Sequence, residues 1–118
     1  MKQAQLRLSY FNKNITYNSG NPELLRAAAN NGNSFTSMMF NIANTHSAGI
    51  VLDVYFEDSA GTKFYMLKDA KVGRGYNLDL ITNPNGVSWS DDMSLYTKIS
   101  TAGGTASVIK SCISKKIQ

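Results

Sequence analysis

Histidine and cysteine are nearly missing from this sequence, which holds one of each, His46 and Cys112. A structural zinc site takes four such ligands, so two side chains exclude it. One thiol likewise excludes an intrachain disulfide. A Cys–His nucleophilic pair would have to be assembled from a strand-like run, Val108 to Ile113, and a polar turn around His46. Cys112 is therefore read as a buried structural thiol. Also missing are the GxSxG elbow, the HExxH helix and the CxxC pair. Gly73-Arg74-Gly75 lacks the further glycine and the helix of a phosphate-binding loop, and reads as a turn. The expectation is a protein that is not an enzyme, with no cofactor, no metal and no small-molecule substrate.

Charge is scarce too. Asp, Glu, Lys and Arg make up 17% of the chain, against the usual one-quarter or so. Twelve basic residues outnumber eight acidic ones for a formal charge of +4, but they are scattered singly apart from Lys115-Lys116. That scatter lacks the basic stripe of a nucleic-acid binder. Glu57, Asp58, Asp69, Asp91 and Asp92 show no calcium-loop spacing and read as solvated loop charge. No apolar run approaches the roughly 20 residues of a membrane-spanning helix. The segment Met1 to Arg7 has no apolar signal-peptide core, so synthesis in a cytoplasm is expected.

Asn, Ser and Thr fill the gap. Thr suits a pleated surface, while Asn and Ser bond their own backbone in turns, so the composition favours short strands and tight reversals over a helical bundle. Leu6, Leu8 and Tyr10 alternate with Arg7 and Ser9 in a first strand with one face for the core, and Asn12-Lys13-Asn14 reads as a turn before a short strand at Ile15. Residues 22–30 leave two options open. Asn21 as N-cap and Pro22 at the first position allow one or two helical turns, and an extended edge segment fits equally.

Ile50 to Phe56 is the clearest strand. Ile50, Leu52, Val54 and Phe56 share one face, and Val51, Asp53, Tyr55 and Glu57 share the other. Asp58 to Thr62 reverses the chain, with Gly61 suited to a positive φ, and Lys63 to Leu67 returns. Lys68-Asp69-Ala70, Asn83-Pro84-Asn85-Gly86 and Ala102-Gly103-Gly104 read as further turns. Turn signals every 8–12 residues or so predict an all-β fold: an antiparallel β-sandwich, Ig-like or jelly-roll-like, of about seven or eight short strands. No linker divides the chain, so residues 1–118 form a single domain.

If one face of the central strand is core, the other carries Val51 and Tyr55, with Tyr65 on the neighbouring strand. That apolar patch is the candidate protein interface. Trp89, beside a polar loop, joins it in reserve. The same aromatics allow a sugar-stacking alternative.

From Phe40 to Leu80 the sequence resembles small β-sandwich structural proteins of tailed-bacteriophage virions. The residues that carry the likeness are Asn44-Thr45, Val51-Leu52-Asp53-Val54-Tyr55-Phe56, Phe64-Tyr65-Met66-Leu67-Lys68, Val72 and Leu78-Asp79-Leu80. The hairpin Ser100 to Ile109 is similar to the one that ends the same class, and the whole likeness spans roughly residues 34–113. It implies a virion structural protein: a capsid decoration or cement protein first, or a neck, tail or fibre subunit. Its partners would be the major capsid protein or other virion proteins, and further copies of itself. A carbohydrate- or receptor-binding module is the alternative from another class.

Overall fold

The computed structural model describes residues 4–28, 34–81, 86–90 and 92–117. They form nine strands: β1 (Ala4–Thr16), β2 (Glu23–Arg26), β3 (Ser34–Asn44), β4 (Ile50–Glu57), β5 (Lys63–Val72), β6 (Asn77–Asp79), β7 (Val87–Ser90), β8 (Ser94–Ile99) and β9 (Thr105–Ile117). All pairings are antiparallel. One sheet runs β1-β9-β3-β6, with β7 also on β3, and the other runs β2-β8-β4-β5. The fold is the all-β antiparallel sandwich the turn spacing predicts.

The core lies between the sheets. From the four-stranded sheet come Leu25, Ile50, Leu52, Val54, Phe56, Val72, Leu95 and Ile99, and they meet Ile15, Phe35, Phe40, Ile42, Trp89, Ala106 and Val108. The period of two along β4 thus buries the face expected of it. Its hairpin closes on Asp58, whose carboxylate accepts the amides of Ala60 (3.0 Å) and Thr62 (2.9 Å). Gly61 takes φ +84° there, a region closed to most side chains by Cβ sterics. At the β8–β9 turn Gly104 is fixed by crowding instead, because a Cβ would lie 2.7 Å from Ile99 Cγ2 and 2.9 Å from the Thr101 carbonyl.

Two buried polar side chains hold the connections. Asn44 donates from Nδ2 to the carbonyls of Ala48 (2.8 Å) and Val72 (3.0 Å) and accepts the His46 amide at Oδ1 (2.8 Å). Asp53 accepts the Asp69 amide at 2.6 Å. Asp69 has φ +51° and stands where the β4–β5 register slips. The expected turn at Lys68-Asp69-Ala70 is therefore a bulge inside a continuous strand, anchored by a carboxylate from the strand beside it.

Tertiary pairing decides one open reading and overturns one turn expectation. Residues 23–26 form an extended edge strand on β8, not the short helix. One helical turn gains little by itself, whereas the strand buries Leu25 and pairs its backbone. Asn12-Lys13-Asn14 makes no turn, because β9 pairs without a break from Thr16↔Thr105 to Ala4↔Ile117. The β1 side chains described in the core are Phe11 and Ile15. The side chains of Leu6, Leu8, Tyr10 and Cys112, residues 29–30 of the segment left open between helix and strand, and Asn83-Pro84-Asn85 lie outside the described residues.

Candidate functional site on the outer face of the four-stranded sheet

Residues directly opposite in antiparallel strands share a face, and the register of this sheet sets Leu24 against Tyr96, Tyr96 against Tyr55, and Tyr55 against Tyr65. A single row of large side chains therefore crosses all four strands. Its middle is closed and its ends are open: Tyr55 is 3% exposed, while Leu24 and Tyr65 are each 41% exposed. Tyr55 stacks on Tyr96 (ring centroids 5.5 Å, 25°) and meets Tyr65 at a tilt (5.2 Å, 50°). Lys63 Nζ sits 5.2 Å from the Tyr55 ring, and Lys68 Nζ 4.6 Å from the Tyr65 ring. These distances bring the ammonium groups within reach of the ring quadrupoles.

Burial, with Glu57, Tyr65, Tyr96 and Asp53 adding repulsion to a phenolate, pushes the Tyr55 hydroxyl up to about 12. The side chain is neutral at every physiological pH, and the middle of the row carries no charge of its own.

Three of the four residues picked from the sequence come together here. Tyr55 and Tyr65 form the row, and Val51 lies further along the same face of β4, paired with Lys71 and half-buried. Trp89 does not join them. It is 6% exposed, stacks on Phe35 at 4.6 Å and meets Phe56 at 5.0 Å within the core. Packed so, it leaves no open ring face for a sugar or a partner, and its cationic neighbours Arg26 and Lys110 belong to the same packing. Sequence reading missed Tyr96 and Leu24. Alternation along Leu95-Tyr96-Thr97-Lys98-Ile99 carried the signal for Tyr96, and Leu24 lay in the segment left open between helix and strand.

Elsewhere the chemistry is sparse. Among the described residues no group of three His, Cys, Asp or Glu is placed to hold a metal ion, and no helix is long and apolar enough to cross a membrane. Thr45 bonds Thr105 beside His46, and Cys112 is seven residues further up β9. At about 3.4 Å per residue that is about 24 Å away. A depression of about 320 Å³ lies at the β1–β2 connection, lined by Thr16, Tyr17, Asn18, Pro22, Glu23 and Leu24.

No family model and no curated protein matches the sequence. Solved structures do match the fold. A protein of the Bacillus endospore appendages, which are disulfide-linked pili, superposes with TM-score 0.61 at 11% identity, over 95% of this chain and 88% of its own. The core of Drosophila NLP, described for its pentamer formation and histone binding, gives 0.57 at 10% identity over 89% and 95%. VP2 of the infectious bursal disease virus subviral particle gives 0.49 at 18% identity over 97% and 32%. At these identities the likeness is one of fold.

Proposed function

We propose that this chain is a non-enzymatic structural protein that acts through protein–protein contacts. Within that class we assign it to a bacteriophage virion, as a capsid decoration or cement protein that docks on the major capsid protein. The observation that carries the docking reading is the row Leu24–Tyr96–Tyr55–Tyr65. An apolar, aromatic strip with cations at its rim has the make-up of a protein interface core. A small-molecule site would instead be concave and enclose its ligand. The face spans four strands, which suits the standard interface of about 800 Å² per partner. The virion assignment rests on the sequence resemblance. Asn44-Thr45, Val51 to Phe56 and Phe64 to Lys68 lie in the end of β3, β4 and β5, so the likeness falls on the elements that build and present the face. The appendage and the pentamer-forming core lend support as assembling proteins of the same fold.

Quantitative mass spectrometry of virions purified from the encoding phage tests the reading. Hundreds of copies per particle are expected of a decoration protein. A count near six or twelve would move it to the neck or tail, and absence from the particle would overturn the virion reading. Substituting Leu24→Ser and Tyr65→Ser together is expected to abolish binding to undecorated shells while the chain stays folded. Unchanged binding would move the docking site off this face.

A further inference from the structure

Three of the strand edges in the sandwich differ sharply in finish. β5 carries Lys63, Lys68 and Lys71 and a bulge at Asp69. β2 is four residues long, follows Pro22 and is itself bulged. Both devices discourage edge-to-edge pairing. β1 has neither. It runs thirteen residues without Pro or bulge, its charged residues are Arg7 and Lys13 alone, and among the described residues nothing pairs with its outer side.

The phase of that edge follows from one bond. The Tyr17 amide donates to the Gly104 carbonyl at 2.9 Å, and the register then continues without a slip from Thr16↔Thr105. Bonded and non-bonded pairs alternate in an antiparallel ladder, so the odd-numbered residues bond β9, and the amides of Asn12, Asn14 and Thr16 point away from it.

We propose that this edge is a self-association site, at which β1 of one copy pairs antiparallel with β1 of a second copy and the two five-stranded sheets become one. Area argues for a second copy as the occupant. A pairing centred on Phe11 covers residues 6–16, which span about 37 Å, and the sandwich is 20 Å across its shortest axis. The paired side thus offers about 750 Å², close to what each partner contributes to a stable dimer. Phase and charge then select the register. Outward-facing amides occur only at even positions, so the twofold axis must pass through a residue rather than between two. An axis at Tyr10 sets Arg7 opposite Lys13, two residues of like charge beside a single acid, Glu23, which already holds the Lys13 ammonium at 3.3 Å. An axis at Phe11 sets Arg7 opposite Ile15 and Lys13 opposite Ser9, and it pairs the two Phe11 rings. The register is centred on Phe11. None of this depends on the virion assignment or on the tyrosine row.

Sedimentation equilibrium of the full chain, with hydrogen exchange followed amide by amide, tests the site. The expected result is a concentration-dependent dimer in which exchange at Asn12 and Asn14 slows more than tenfold as dimer forms. Asn12 and Asn14 are exposed, so Asn12→Lys with Asn14→Lys should leave the melting temperature unchanged and the protein monomeric. A chain that is monomeric at all concentrations, unprotected amides at these positions, or a lysine variant that still dimerises would each overturn the proposal. Tyr65→Ser, which tests the docking face, should dimerise normally.

Discussion

Both sheets of the sandwich have register rows that cross four strands on the outer face, and two of these rows are opposites. On the four-stranded sheet the row is Leu24, Tyr96, Tyr55 and Tyr65. On the five-stranded sheet it is Asn12, Ile109, Asn41 and Asp79. Ring stacking ties the first together, whereas the second has one described side-chain bond, from Asn41 Nδ2 to Asp79 Oδ1 at 2.7 Å. Strand period and core demand are the same on both sheets, so neither forces this difference. A solvated face needs no rings, and the stacked row is the feature on which the proposed docking rests.

The largest test of that contrast is truncation at the middle of each row. Tyr55→Ala removes a buried ring and two aromatic contacts and should cost about 3 kcal/mol. Asn41→Ala should cost less than about 1 kcal/mol. Urea denaturation of the pair measures both, and equal losses would erase the distinction between the faces. Next come the carboxylates. Asp53→Ala leaves the Asp69 amide of the bulge without its acceptor and should cost about 1–2 kcal/mol, while Asp79→Ala, at an exposed bond, should cost under about 0.5 kcal/mol.

Alkaline titration gives a subtler difference. The Tyr55 hydroxyl is raised in the folded chain from 10.0 to about 12, so its contribution to stability is intact below pH 10. As pH rises from 10 towards 12 the unfolded state loses the proton first, and up to about 2 kcal/mol is lost. Tyr55→Phe should fall less steeply than the wild type across that window, and parallel curves would count against the buried phenol. The smallest stability effect is expected at the open ends of the row. Tyr65→Ser should change stability by less than about 1 kcal/mol while removing most of the docking affinity.

How much of this was legible in the sequence depended on whether local pattern and distant pairing agreed. Along β4 they agree: Ile50, Leu52, Val54 and Phe56 alternate, Gly61 turns the chain, and the hairpin forms as read. Along β1 they conflict. Ile15 and Phe11 meet the core in the phase that the β9 register sets. Asn12-Lys13-Asn14 has turn chemistry that a long ladder overrides. In β3 the slip between Ser37 and Met39 shifts the phase, and with it Phe35 reaches the core and supplies the stacking partner for Trp89. No window around Trp89 contains that information. The aromatic row was half legible for a similar reason. Val51, Tyr55 and Tyr65 follow from one hairpin, but Tyr96 and Leu24 join only when β8 and β2 dock beside it.

The position of β9 also governs how the chain is made. It is the last of the described strands in sequence order and lies between β1 and β3, so the two earlier strands have no shared neighbour until synthesis has passed Thr105. The four-stranded sheet can assemble on the emerging chain once β8 is out. The five-stranded one is a late event, closed by contacts between residues more than a hundred positions apart, such as Leu8 with Ile113. Such distant closure is slow. During that interval β1 waits for its described sheet partner while β3 can already pair β6 and β7, and a waiting strand edge is open to mispairing between neighbouring nascent chains.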